Sequence, residues 1–307
     1  MSKEFTIENE YLKLTVTTWG AQVKSVVRKS DGVEHIWQAD KAVWGYHAPI
    51  LFPHAGKVVD GTIEAKGGSY ASGQHGFARL MEHELVAMTE DTIVMELRAN
   101  DETLAKFPYE FNLVSTFTLE NDTLHHTLTV ENWDEEELAF GIGYHPAFTV
   151  PFDDKHEATD YELRFSEMES PLCVNCLPTG LVQDNHYWLG SNIKSIPVDE
   201  HLFDNDSHCM VNIKSKTLGL YEKGTGRAVV CNIFSDKRNP DWNKPVGTFY
   251  YRTKEVESVV DQLSPGFRTA AAGFSFQFLL PPSGLGRLCQ GSMHTNLGIP
   301  GLDQIRQ

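Results

Sequence analysis

The sequence predicts an all-β fold: a large antiparallel two-sheet β-sandwich with few short helices. Three observations carry that prediction. Segments that alternate apolar and polar residues dominate the chain, they come in pairs around short polar turns, and no long helical period separates them. Strands joined by hairpins pair antiparallel, and this many of them exceed what one flat sheet holds. With 307 residues, 41% of them apolar and 22% charged, the chain has enough material for a substantial core.

Taken in order, FTIENEYLKLTVTTW (5–19) reads as two short strands around a polar turn at 8–10. HELVAMTEDTIVMELRA (83–99) is a hairpin turning at Thr89-Glu90-Asp91, and FNLVSTFTLENDTLHHTLTVEN (111–132) repeats the pattern around Glu120-Asn121-Asp122. Between these two hairpins, 101–106 has the only helical pattern. Further strands are expected at 139–144, 161–165, 209–213, 218–222 and 228–234. No internal repeat or linker interrupts this series, so residues 1–260 read as a single domain. Residues 261–307 differ: five charged residues, seven glycines and four prolines in 47 positions, with neither strand nor helix period. That segment is expected to be irregular or frame-altered.

The formal charge of −16 argues against nucleic acid and anionic membrane as partners, since both require basic patches. No signal peptide pattern opens the chain and no apolar run is long enough to span a bilayer. Five cysteines, an odd number in a long chain, suit a reducing compartment, so a cytoplasmic protein is expected. A monomer or homodimer is the expected assembly.

Two of the thirteen histidines stand in unusual company. His75 lies in GQHGFAR (73–79), where a glycine neighbour permits a positive φ or a close backbone approach. His145 lies in GYHPAF, where Pro146 removes a ladder donor and ends the strand, a rigid place from which to aim a side chain. The ordinary reading of either is a hydrogen-bonded core imidazole. His125 and His126 in LHHT point to opposite faces of a strand and cannot chelate together, so surface placement is expected. CVNC (173–176) has redox or zinc spacing but lacks a second Cys/His pair, and DEEE (134–137) reads as a solvated turn. No Gly-rich nucleotide loop or nucleophile-elbow motif is present.

Several stretches in series resemble the galactose mutarotase (aldose 1-epimerase) family, in its bacterial mutarotase-related branch. They are HAPILFPHAGKVVDG (47–61), GQHGFAR (73–79), FPYEF (107–111), GYHPAF (143–148, with Gly143 leading), LFDNDSHC (202–209) and NPDWNKPVGTF (239–249). The resemblance implies a large β-sandwich that interconverts the α and β anomers of a free hexose. Ring opening needs a base at the O1 hydroxyl and an acid at ring O5, and closure on the other face reverses both transfers. No cofactor and no metal are implied. By the same resemblance His145 is the acid at O5 and His75 holds the sugar and assists; an imidazole of pKa about 6.5 can donate near neutrality. The expected substrate-binding residues are Lys57, Arg79 and Asp206.

Two departures stand out. Lys57 occupies a position where the family commonly has arginine, which keeps the charge and loses the planar fork. The family's base, a glutamate in an Ile-Glu-Pro-like motif soon after the NKPVGTF stretch, has no counterpart in YYRTKEVESVVDQLSPG; Glu255 is the weak candidate, with Glu257 nearby. A non-catalytic sugar-binding protein of the same fold is therefore the alternative function. Epimerisation of a phosphorylated hexose would need clustered Arg and Lys around the cleft. Glycoside hydrolysis would need two carboxylates at a fixed separation, and no such pair stands out.

Overall fold

The computed structural model describes residues 2–176, 178–204, 207–210 and 213–232, and the backbone course of 247–252, 270–279 and 292–295. Alternation decides the central hairpin. Thr123–Asn132 buries every second residue, with Leu124, Leu128 and Val130 on the core face. Phe111–Glu120 lies antiparallel to it in an unbroken ten-pair register and places Phe111, Leu113, Phe117 and Leu119 on its buried side. Each such side chain removed from water stabilises by roughly 1.5–3 kcal/mol, which fixes the register, since a one-residue slip would turn all of them outward.

Among the described residues this hairpin lies inside a nine-stranded antiparallel sheet. Its order is Ile193–Pro197, Tyr161–Glu169, Thr217–Glu222, Ala228–Asn232, Gly247–Arg252, Thr123–Asn132, Phe111–Glu120, Thr92–Arg98, Glu84–Met88. A second sheet of eight strands includes Ile50–Leu51, Phe140–Tyr144, Ala147–Thr149, Leu172–Val174 and His208–Met210. Here parallel pairs enter: Phe140–Tyr144 and then Ala147–Thr149 both run parallel to Ala270–Leu279. A four-stranded sheet, Glu4–Glu8 through Val33–Glu34, and a small hairpin, Thr62–Ala65 with Gly68–Ala71, complete the β structure described.

One hydrophobic cluster joins the strand layers, with Phe52, Phe111, Phe117, Tyr144, Phe148, Tyr161 and Phe165 fully buried. The helix at Asp101–Leu104 is a single turn: Asn100 accepts the Glu102 and Thr103 N–H groups and Thr103 reciprocates, a capping box that satisfies the first orphan donors. No helix among the described residues is long and apolar enough to cross a membrane, which leaves β-barrels unaddressed.

Two expectations need correction. His126 is not at the surface; it is fully buried, because it shares the core face with Leu124 and Leu128, and it stacks on Phe117 at 4.2 Å between ring centroids. His125, on the other face, approaches Glu120 as expected for an outward residue. Pro146 interrupts a strand and does not end it: Tyr144 pairs with Phe274 and Ala147 with Gln277, so the ladder resumes without a register change.

Candidate functional site

The site forms where the interrupted strand meets the chain around Gly56 and Gly76. His145 sits in the two-residue gap, and its N–H donates to Pro49 O at 3.0 Å, tying the gap to the segment that leads into Ile50–Leu51. His75 arrives from a separate loop with φ of 68°, a left-handed conformation uncommon for a residue with a Cβ. Gly76 follows at φ 66°, and a Cβ there would stand 2.2 Å from Phe52 O. Only glycine lets the loop come this close to the buried Phe52, and this approach carries His75 inward.

A reciprocal pair of bonds locks His75: its N–H donates to Gly56 O at 2.8 Å, and Gly56 N–H donates to its Nδ1 at 2.9 Å. With Nδ1 accepting, the neutral imidazole carries its proton on Nε2. The His75 and His145 rings lie 5.8 Å apart between centroids at 60°, both largely buried. The two histidines singled out in the sequence are therefore neighbours.

Two aromatic residues that the sequence reading did not single out complete the wall. Trp44 lies over His145 with centroids 5.1 Å apart and the planes 35° from parallel, and it packs on the small cluster of Trp37, Val43 and Ala147. Tyr46 neighbours Trp44 at 5.4 Å and lies under the Arg79 guanidinium, 4.9 Å from its ring centre. The only signal available was the aromatic run VWGY immediately before the HAPILFPHAGK stretch. The wall's position is well supported: Trp37 Nε1 donates to Trp44 O at 2.9 Å, and His47 bonds Trp37 O at 2.7 Å through Nδ1.

Arg79 donates through Nη2 to Gln74 O at 2.9 Å, while its buried Nε has no partner among the described residues. Burial lowers its pKa from the usual guanidinium value, and the electrostatic influence of Tyr46 opposes that. Lys57 is exposed and donates to Thr179 O at 3.0 Å, 122 positions along the chain. His54, next to this segment, bonds Ser72 Oγ at 2.6 Å, and burial lowers its pKa. Asp206, Glu255 and Glu257 lie outside the described residues.

Elsewhere, Asp153, His156 and Glu222 bring one ligand atom each within 4.8 Å of one another, a spacing a cation could use. Arg227 already sits among them, bonding Asp153 and, at 2.5 Å, the fully buried Glu222. Tyr161 donates its hydroxyl to Glu222 at 2.6 Å. The guanidinium supplies the positive charge here, so the group is an ion-pair network that braces the sheet.

Comparison with known proteins gives a consistent result. The family model described as aldose 1-epimerase matches residues 3–231. The chromosomal LacX protein of Lactococcus lactis subsp. lactis is 33% identical over 232 residues, covering 73% of this chain and 77% of its own length. Among solved structures, a galactose mutarotase-like protein from Lactobacillus casei ATCC 334 superposes with a TM-score of 0.68 at 27% identity, covering 87% of this chain and 91% of that one. A galactose mutarotase related enzyme from Lactobacillus acidophilus gives 0.72 at 24% identity, covering 86% and 94%, a likeness of fold.

Proposed function

The chain belongs to the aldose 1-epimerase family, and from that premise we propose that it interconverts the α and β anomers of a free hexose by acid/base ring opening. The observation that carries the reading is the pairing of His75 and His145, brought from separate loops to 5.8 Å and walled by Trp44. In this mechanism His145 gives a proton to ring O5 as the C1–O5 bond breaks. His75, with Nε2–H as its neutral donor end, holds a ring or hydroxyl oxygen. A carboxylate takes the O1 proton, and Glu255 is the candidate. Rotation about C1–C2 presents the other face of the aldehyde, and closure returns each proton. Lys57, Arg79 and Asp206 serve as hydroxyl ligands in this scheme, and residues 1–260 act as one folding unit.

General acid catalysis contributes about 10²–10⁴-fold. Polarimetry of freshly dissolved α-D-glucose and α-D-galactose tests the proposal. Wild-type protein accelerates mutarotation over the spontaneous rate, and His145→Ala loses about 10²-fold or more of that acceleration. A folded protein that accelerates neither sugar refutes the reading. One specific observation favours a second reading, a sugar binder without catalysis: no Glu-Pro sequence follows NKPVGTF. Hexose binding measured by calorimetry without any rate acceleration would select it.

A further inference from the structure

We propose that Cys176 and Cys209 form a redox modification site, closing to a disulfide by exchange with a low-molecular-weight disulfide such as oxidised glutathione. Their Sγ atoms lie 3.4 Å apart. A disulfide bond measures about 2.05 Å, so closure requires roughly 1.4 Å of movement. The backbone explains the approach. Val174 pairs directly with Cys209 in the antiparallel ladder, and Cys176, two residues on, reaches the same face from the diagonal position.

The neighbouring thiol of the CVNC motif does not compete. Cys173 pairs across its strands with Tyr187 and Met210, one residue out of phase with Val174. Burial pushes its thiol up to about 12, with the Tyr187 hydrogen bond working the other way. The hydrogen bond to Cys176 and burial hold the Cys209 thiol far above its usual range, and either sulfur can be the donor in that contact. Cys209 is buried and Cys176 only half-buried, so Cys176 is the sulfur an outside reagent reaches.

The exchange balances in two steps. The Cys176 thiolate attacks one sulfur of oxidised glutathione and releases one glutathione thiolate, leaving a mixed disulfide. Cys209 then gives up its proton and attacks the Cys176 sulfur, releasing the second glutathione thiolate. Two electrons pass to glutathione, and the protein loses two hydrogens.

The bond would act on the turn that holds Lys57. Gly180 N–H donates to Cys176 O at 2.6 Å, and Thr179 O in the same turn accepts Lys57 Nζ. The Lys57 stem lies against Gly180, where a Cβ would stand 2.9 Å from Lys57 Cδ. Pinning Cys176 therefore pins the support of Lys57. Any effect on sugar binding rests on the proposed role of Lys57; the disulfide does not.

The test treats the full native chain with oxidised glutathione, quenches with iodoacetamide and maps peptides by mass spectrometry. The expected result is a loss of two hydrogens with a single Cys176–Cys209 linkage, reversed by dithiothreitol. Cys209→Ala stops at a glutathione adduct on Cys176, and Cys176→Ala acquires no adduct at Cys209. Wild-type protein with all thiols free, with a persistent adduct at Cys176, or with a Cys173–Cys176 bond overturns the proposal, whatever the variants do. Slower amide exchange across 178–183 in the oxidised protein is the second expected reading; unchanged exchange overturns the pinning of the turn.

Discussion

Lowering the pH from 7.5 to 5 should strongly destabilise this protein through three histidines that play no part in the proposed site. His35, His83 and His126 are 1%, 2% and 0% exposed. Burial, the largest influence on each, lowers their pKa values from 6.5 to about 3, about 4 and about 3. The Arg28 and Arg227 guanidiniums push His35 further down and Asp31 pulls it back. The folded-state values are depressed, so the folded protein stays neutral at these positions while the unfolded chain takes up protons below pH 6.5. Their contribution to stability is complete above that pH and is lost as pH falls towards 4 and 3. Each proton that only the unfolded chain binds costs about 1.4 kcal/mol per pH unit, or ~2 kcal/mol per histidine at pH 5 and ~6 kcal/mol for the three. Net stabilities run to about 5–15 kcal/mol, so this loss is a large share of the total. Burial also lowers His47, His54, His125 and His208, which adds in the same direction. His156 and His201, raised chiefly by their bonds to Asp153 and Asp204, oppose it.

His35→Phe isolates one of these protons. Neither His35 ring nitrogen has a hydrogen-bond partner among the described residues, and the ring meets Phe152 edge-on at 5.1 Å, so a phenyl ring fits the chemistry of the site. Urea unfolding at pH 7.5 and pH 5, for wild type and variant, gives a double difference in which every other titrating group cancels. The variant should lose ~2 kcal/mol less than wild type across that interval. Equal losses in the two proteins would refute the reasoning, since His35 would then have to bind its proton equally well folded and unfolded.

Three further outcomes follow from other parts of the structure. Trp44→Ala removes the ring over His145 and should lower kcat/KM for mutarotation by about 2–10-fold, the value of an aromatic contact of ~0.5–1.5 kcal/mol; unchanged kinetics in polarimetry would count against a positioning role. Gly76→Ala forces a Cβ to 2.2 Å from Phe52 O at a positive φ, and urea titration should show a loss well over ~1 kcal/mol. Arg227→Met removes the guanidinium from beside the fully buried Glu222 carboxylate, which keeps the Tyr161 and Thr225 hydroxyl bonds, so stability at pH 7 should fall by roughly 3 kcal/mol, the low end for a broken buried pair. Glu222 has a lowered pKa, the Arg227 bond opposing burial, so the wild-type contribution disappears as pH falls below the carboxylate range and the variant's deficit shrinks there.

What could be read from the sequence was local. The hairpins at 83–99 and 111–132 declare themselves because each strand, turn and partner lies within about twenty positions, the range over which alternation and turn chemistry speak. His75 and His145 stood out for a similar reason: Gly76 and Pro146, their immediate neighbours, impose backbone conditions that ordinary strands avoid. Contacts made across the chain left no such trace. Two-residue strands such as Ile50–Leu51 have no period to detect, the parallel pairing with 270–279 joins segments more than a hundred residues apart, and the Lys57 bond to Thr179 spans 122.

At His126 strand register and residue polarity point opposite ways, and register decides. Counting by twos from Leu124 through Leu128 to Val130 puts His126 on the core face. Residue polarity alone argues for the surface. The register must win: turning His126 outward would shift the strand by one and expose Leu124, Leu128 and Val130 together, at roughly 1.5–3 kcal/mol each. An imidazole kept neutral costs far less than that at pH 7. Below pH 6 the balance changes, and the same register that drags His126 inside makes it one of the groups through which acid opens the sheet.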